Sequence, residues 1–86
     1  MKPYRVRVAV TLKPEVMDPA GQATRTVLVK RGHRNLEDVR IGRLIDLRIV
    51  AASPEDALVE GDRMGREVLA NPVLETFHAW VENDEG

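Results

Sequence analysis

The sequence has 86 residues, a net charge of -1 at pH 7 and no cysteine, so it can form one small domain that lacks disulfides and cysteine metal sites. A domain of this size buries only about 60% of its unfolded surface, which predicts marginal stability unless oligomerisation or a partner adds to it. The near-neutral charge predicts a protein that is not drawn to nucleic acid or to a membrane surface. No signal peptide and no run of about 20 apolar residues occur, which predicts a single cytoplasmic domain over residues 1–86.

The first predicted strand leads into a loop stiffened by two prolines. Residues 4–12 alternate between apolar and mixed side chains, which is the period-two pattern of a strand with one apolar face. Pro14 lacks the N–H that would continue a ladder, so the strand should end before it. Asp18 can cap a helix that begins at Pro19, and Gly32 is a suitable residue to end that helix.

The first helix carries an apolar stripe made of small residues at helical spacing. The stripe consists of Ala20, Ala23, Thr24, Val27 and Leu28. Small side chains allow a close approach, so we expect this helix to lie back across one face of the sheet.

Two further strands are predicted in the middle of the chain. Val39 and Ile41 alternate with charged residues, which indicates a short second strand. A Gly42-Arg43 turn would join it to a third strand that ends near Ala51, since glycine can adopt a positive φ at the first turn position.

The second helix is predicted to pack closely on the sheet. Ser53 and Pro54 form its N-terminal signal, and Asn71-Pro72 ends it because the residue before a proline disfavours the helical region. Gly61 and Gly65 each cost roughly 1 kcal/mol of helix propensity. That cost is understandable if the helix backbone must approach the sheet or another helix.

The element order predicts the fold class. A last strand should run from Val73 to about Glu82, and we expect the acidic tail at residues 83–86 to be frayed. The order is then β-α-β-β-α-β, an α+β sandwich of the split βαβ (ferredoxin-like) type with two helices on one face of an antiparallel sheet. Right-handed crossovers place strand one beside strand three.

The sheet face opposite the helices indicates self-association. A monomer would make this face uniformly polar, but here the only tryptophan lies among aliphatic residues and arginines. Tryptophan and arginine are enriched at interfaces, so we expect a homodimer or a higher oligomer through sheet faces or edges. The candidate residues for this contact are Arg5, Arg7, Leu74 and Trp80.

No residue pattern points to catalysis, cofactor binding or a metal site in this chain. His33 and His78 lack metal-ligand spacing, the hydroxyl residues have no adjacent base, and no glycine-rich phosphate loop occurs. RNA recognition on the open sheet face needs stacking aromatics, but only 3% of the residues are aromatic. A preset contact surface in the loop Lys13–Pro19 and a dimeric domain that senses a small molecule both remain open.

Three stretches carry a resemblance to a known family. They are residues 6–23, residues 38–47 and residues 69–75, and their most specific parts are Thr-Leu-Lys-Pro at residues 11–14 and Leu-Ala-Asn-Pro-Val at residues 69–73. In these stretches the chain resembles PurS, the small subunit of phosphoribosylformylglycinamidine synthase in purine biosynthesis. Departures from the family pattern occur at Gly61, Gly65, Ala79 and Trp80.

The resemblance implies a subunit of a glutamine-hydrolysing, ATP-dependent C–N ligase, without catalytic residues or a cofactor of its own. A large synthetase subunit (PurL-like) would use ATP and magnesium on formylglycinamide ribonucleotide, and a glutaminase subunit (PurQ-like) would release ammonia. A dimer or tetramer of this chain would join the two. The residues expected to contact these partners are Lys13, Pro14, Glu15, Asp18, Asn71 and Pro72.

Overall fold

Three strands and two α-helices follow one another in the computed structural model, which describes residues 1–82. The elements are β1 (Lys2–Leu12), α1 (Pro19–Lys30), β2 (Gly42–Ala51), α2 (Pro54–Met64), a π-helical turn (Gly65–Leu69) and β3 (Glu75–Glu82). The tail that we expect to be frayed, residues 83–86, lies outside the described residues. None of the helices in the described part is both long and apolar enough to cross a membrane.

The central strand of the antiparallel sheet is β1, and the strand order is β2-β1-β3. Val6 lies opposite Leu47 of β2 and opposite Val81 of β3, so the apolar residues of all three strands share one face. The predicted pairing of the first strand with the strand that ends at Ala51 is therefore confirmed. The α+β class with a split βαβ plan is confirmed as well.

The predicted second strand does not form, so the described sheet has three strands instead of four. Residues 39–41 reach the sheet as an irregular segment, and β2 begins at Gly42, opposite Thr11. The Ile41 N–H, which a hairpin ladder would use, instead donates to the Asp18 carboxylate at 2.7 Å. The prediction of a Gly42-Arg43 hairpin is therefore wrong.

The core lies between the apolar sheet face and α2. Its largest fully buried side chains are Val6, Val8 and Val10 of β1, each at most 1% exposed. The predicted N-cap of α2 is confirmed, because the Ser53 hydroxyl accepts a hydrogen bond from the Asp56 N–H at 3.1 Å.

Two glycines lie where the second helix touches the sheet. A Cβ at Gly61 would lie 2.6 Å from Val6 Cγ1, and a Cβ at Gly65 would lie 2.7 Å from Phe77 Cε2. Both positions exclude a side chain, which confirms the predicted close approach. After Gly65 the helix widens, and the Ala70 N–H donates to the Gly65 carbonyl across a π-helical turn at 3.1 Å.

Both ends of α1 follow the predicted signals. The Asp18 carboxylate accepts a hydrogen bond from the Gly21 N–H at 3.0 Å, as an N-cap does. At the other end Gly32 has a φ of 108°. The N–H groups of Gly32 and His33 donate to carbonyl groups of the last turn, which is the Schellman arrangement.

Contrary to the prediction, α1 does not lie on the sheet. Among the described residues it has no extensive contact with a strand or with α2, and Gly21 is its only buried residue. The radius of gyration is 16.1 Å, whereas a compact chain of this length has about 12 Å. Alanine and threonine bury little area, so the predicted stripe supplies only a weak drive toward the sheet. We call α1 and its return segment, residues 18–41, the arm.

Candidate protein-interaction site

Three segments meet at one end of the sheet, which we call the loop end: residues 13–18, residues 41–43 and residues 69–75. The Lys13 N–H donates to the Leu74 carbonyl at 2.9 Å and so extends the pairing of β1 with β3 into the loops. The six residues predicted to contact partners lie in the first and third of these segments. The structure thus brings together two stretches that are almost sixty residues apart in sequence.

Asp18 holds the first segment from inside. Its side chain is only 4% exposed in the fold, and its carboxylate accepts hydrogen bonds from the N–H groups of Ile41 and Gly21 at 2.7 and 3.0 Å. The hydrogen bond from Ile41, and then the one from Gly21, hold the pKa of Asp18 below its ordinary value. The nearby positive charge of Arg40 adds to the effect. Asp18 therefore positions the loop end from below its surface.

Arg40 fixes the same loop and was not among the residues singled out from sequence. One of its guanidinium nitrogens, Nη2, donates to the carbonyl oxygens of Lys13 and Val16, each at 2.8 Å. These two carbonyls would otherwise have to find water. In sequence, Arg40 alternates with apolar neighbours and is indistinguishable from an exposed residue of a strand.

The Asn71-Pro72 corner is held by a second polar network. The Asn71 side-chain oxygen accepts from the Val73 N–H at 2.9 Å, and the Asn71 N–H donates to Glu75 at 2.8 Å. Arg43 forms an ion pair with Glu75 at 3.0 Å and also donates to the carbonyl of the last helical turn at 2.7 Å. The hydrogen bond from the Asn71 N–H holds the pKa of Glu75 below its usual range, and the contact with Arg43 adds a smaller effect in the same direction.

The outer surface of the loop end is a mixture of charged and apolar side chains. Pro14, Glu15 and Pro72 are exposed, while Lys13 is half-buried. Met17 and Val73 leave 65% and 74% of their surface in water. Two hydrogen-bonded networks hold these residues in place, so binding a protein here would require little further ordering of the chain.

The open sheet face carries three of the four residues predicted for self-association. Arg5 and Arg7 both reach Asp46, at 3.3 and 3.0 Å, and hold the pKa of that carboxyl below its usual value. Trp80 stacks on His78 with 5.5 Å between ring centroids. The fourth predicted residue, Leu74, precedes β3 and lies at the loop end.

Residues 1–82 contain no group of three or more histidine or acidic side chains placed to hold a metal ion. His33 follows α1 in the arm, and His78 lies on the open sheet face.

Acid is expected to destabilise this fold through the three carboxylates with lowered pKa values. The pKa values of Asp18, Asp46 and Glu75 lie below the ordinary values of about 4. Such groups stabilise the folded state above their unfolded pKa, and this stabilisation is lost as the pH falls through the folded pKa. Thermal unfolding midpoints should be nearly constant from neutral pH to about pH 5 and should fall steeply below about pH 4.

Asp18→Asn separates the contribution of the arm base from that of the other two groups. The amide cannot accept from both N–H groups, so we expect a midpoint lowered by about 5–10 °C at neutral pH and a shallower acid slope. An unchanged midpoint together with an unchanged slope would show that the Asp18 contacts contribute nothing to stability.

A family model and several known proteins match this chain. The family model described as PurS, phosphoribosylformylglycinamidine (FGAM) synthase, matches residues 5–83. The PurS subunit of this enzyme from Synechocystis is 39% identical over 74 residues, which cover 86% of this chain and 74% of that protein. The Bacillus subtilis PurS subunit is 38% identical over 80 residues and covers 92% of this chain and 93% of its own length.

Solved structures are similar over nearly the whole chain. PurS from Methanocaldococcus jannaschii, one of the subunits of formylglycinamide ribonucleotide amidotransferase, superposes with a TM-score of 0.78 at 30% identity, covering 95% of this chain and 99% of that one. A chain in the structure of PurLQS from Thermotoga maritima gives a TM-score of 0.83 at 26% identity, covering 95% of this chain and 100% of that one.

Proposed function

This chain belongs to the PurS family of phosphoribosylformylglycinamidine synthase subunits, and on that premise we propose that it is a non-catalytic assembly subunit of the enzyme. It joins a large synthetase subunit (PurL-like) to a glutaminase subunit (PurQ-like) in the cytoplasm. The observation that carries this proposal is the match, at a TM-score of 0.83, to a chain of the Thermotoga maritima PurLQS structure.

The chemistry of ammonia gives a reason for such a subunit. The glutaminase subunit releases ammonia from glutamine, and the synthetase subunit uses ATP and magnesium to add this ammonia to formylglycinamide ribonucleotide. Ammonia that escapes to neutral water is protonated to ammonium, which is not a nucleophile. A subunit that keeps the two sites together raises the local concentration of ammonia without taking part in the chemistry.

The loop end is the surface that we assign to the partner subunits. Its outward side chains are Lys13, Pro14, Glu15 and Pro72, while Asp18 and Asn71 hold the backbone beneath them through the contacts described above. Two networks that order a surface from opposite sides reduce the entropic cost of docking. Charged residues around exposed apolar ones are typical of protein interfaces.

Reversing the two loop charges tests this assignment. The double variant K13E/E15K should bind the synthetase and glutaminase subunits about tenfold more weakly, because each charge at the loop end then has the opposite sign to the one that the partner surface would fit. Sedimentation of the three-component mixture measures the bound fraction. K2E, the same substitution at the opposite end of β1, is the matched control and should assemble like the unmodified chain.

The outcomes separate the surface from the function. If K13E/E15K assembles as well as K2E does, the loop end is not the contact surface, although the assembly role stands. If the unmodified chain itself does not sediment with the two subunits, the assembly role fails.

We also propose that the chain works as a homodimer or tetramer. The small core supports this, because a domain of this size gains stability from association. The uncovered arm supports it as well.

A further inference from the structure

A cavity of about 230 Å³ opens beside the loop end, between the π-helical turn and the start of β3. We call it the corner pocket. Its lining includes Gly65, Arg66 and Ala70 on one side and Pro72, Glu75 and Phe77 on the other. Three of these residues lie within segment 69–75 of the loop end. The corner pocket is therefore continuous with the surface that we assign to the partner subunits.

The deeper part of the lining belongs to the hydrophobic core. Ala70 is only 7% exposed and is buried together with Val8 and Val10. The half-buried Phe77 ring packs against the same cluster. Water on such a surface finds few hydrogen-bond partners, so an apolar group that displaces this water gains free energy.

The charged groups of the lining already have partners within the chain. Arg66 donates a hydrogen bond to Asp62 at 2.7 Å, and Glu75 forms its ion pair with Arg43 at 3.0 Å. A charged ligand would have to compete with these contacts. An uncharged, apolar occupant leaves both of them in place, so the lining favours such an occupant.

Arg43 ties the two sides of the corner pocket together. Its guanidinium donates to the Leu69 carbonyl at 2.7 Å on one side and to the Glu75 carboxylate at 3.0 Å on the other. The wide turn itself is closed by the hydrogen bond from the Ala70 N–H to the Gly65 carbonyl. Turns of this π-helical kind are rare and occur frequently at functional sites. Because the cavity is formed in advance, a partner binds without the cost of opening it.

The volume of the corner pocket favours a single side chain over a small molecule. Pockets for cofactors and other small ligands enclose about 300–1,000 Å³, whereas this one encloses about 230 Å³. One side chain of the size of leucine, methionine or phenylalanine suits such a space. Val68 and Val73, which belong to the same two segments as the lining, leave 78% and 74% of their surface in water.

We propose that the corner pocket receives one large apolar side chain of the synthetase subunit. An apolar anchor in a preformed pocket, surrounded by contacts that exclude water, is the usual arrangement of an interface hot spot. Val68 and Val73 supply such surrounding contacts. Of the two proposed partners, the large synthetase subunit offers the more extensive surface, so the anchor is assigned to it. The inference rests on the proposed function and names the chemistry that the partner brings to the loop end.

Filling the corner pocket tests the inference. The backbone of Ala70 is extended, with φ -116° and ψ 141°, and β-branched residues suit this conformation. Ala70→Ile should bind the synthetase subunit about a hundredfold more weakly, because its side chain takes the place of the anchor. Binding of the glutaminase subunit should stay unchanged. Titration calorimetry with each subunit measures the two affinities, and thermal unfolding checks that the variant is folded.

The matched control is Ala52→Ile. Ala52 is exposed and follows Ala51, which pairs with Lys2 at the opposite end of the sheet. The same substitution there should leave both affinities unchanged.

A second variant keeps the test decisive if Ala70→Ile does not fold. Pro72→Glu changes an exposed residue of the lining, outside the core. It should weaken binding of the synthetase subunit about tenfold, because docking would bury the new carboxylate beside an apolar side chain. Pro3→Glu, at an exposed position on the far end of β1, is its control and should bind like the unmodified chain.

The outcomes separate the corner pocket from the proposed function. Normal binding of the synthetase subunit by either variant in its folded form would overturn the inference, while the assembly role would stand. Weaker binding of the glutaminase subunit alone would overturn it as well. So would weaker self-association of the variants in the absence of both subunits, since a second copy would then occupy the pocket. If the unmodified chain binds neither subunit, the proposed function fails, and the inference fails with it.

Discussion

Replacing Gly65 by alanine is expected to lower the free energy of unfolding by about 1–3 kcal/mol. In an ordinary helix the same change would raise stability by about 1 kcal/mol, because alanine has the better helix propensity. Here the new Cβ would lie 2.7, 2.8 and 3.0 Å from three atoms of the Phe77 ring. The half-buried Phe77 ring also packs on Val8 and Val10, so making room requires a shift of the ring or of the helix, and we expect crowding to outweigh propensity.

Gly61→Ala should destabilise the domain for the same reason. Its Cβ would lie 2.6 Å from Val6 Cγ1, and Val6 is fully buried in the central strand. Urea unfolding of both variants, followed by circular dichroism, measures the change. Glu60→Ala, at an exposed neighbouring position, is the control and should stay within about 0.5 kcal/mol of the unmodified chain. A stabilised Gly61→Ala or Gly65→Ala would contradict the close packing of α2 on the sheet.

The central strand, the caps and α2 could be predicted because local signals agree with the final structure there. Alternating valines define β1, and Ser53 and Asp18 cap helices with the side-chain oxygens that sequence alone suggests. The interpretation of Gly61 and Gly65 is confirmed for a similar reason. A residue that costs helix propensity indicates a packing demand before its partner is known.

The arm and the missing strand could not be predicted, because they depend on contacts that leave no periodic pattern. Ile41 looks like a strand residue, but its N–H is taken by Asp18, twenty-three positions away. The apolar stripe of α1 has the spacing of a core helix, yet nothing in that spacing says which molecule supplies the opposite surface. Periodicity identifies an apolar face and leaves its partner undetermined.

At the candidate site, the sequence singled out residues that the structure gathers at the loop end, including Asp18 and Asn71, which hold its backbone, but it did not single out Arg40, Arg43 or Glu75. Lys13, Pro14, Asn71 and Pro72 stand out through charge and proline content. Arg40 and Arg43 donate to carbonyl groups 24 to 27 residues away in sequence, and Glu75 accepts from the Asn71 N–H and pairs with Arg43. Such contacts form only where the ends of strands β1, β2 and β3 meet, so no local sequence motif indicates them.

The chain should be required for the use of glutamine and dispensable for the use of ammonia. Synthetase and glutaminase subunits that are no longer joined lose the local ammonia supply, which should lower the glutamine-dependent rate at least about tenfold. Free ammonia at high concentration reaches the synthetase directly from water, so the ammonia-dependent rate should stay unchanged. The large effect lies in the ratio of the two rates, which a loss of folded synthetase would not alter.

The most direct test of the assembly role is therefore one comparison. Product formation by the synthetase subunit is measured with glutamine plus the glutaminase subunit, and separately with ammonium salt, each with and without this chain. An assembly subunit predicts that only the glutamine-dependent rate collapses when the chain is left out. Equal rates with and without the chain, or turnover of a substrate by the purified chain alone, would contradict it.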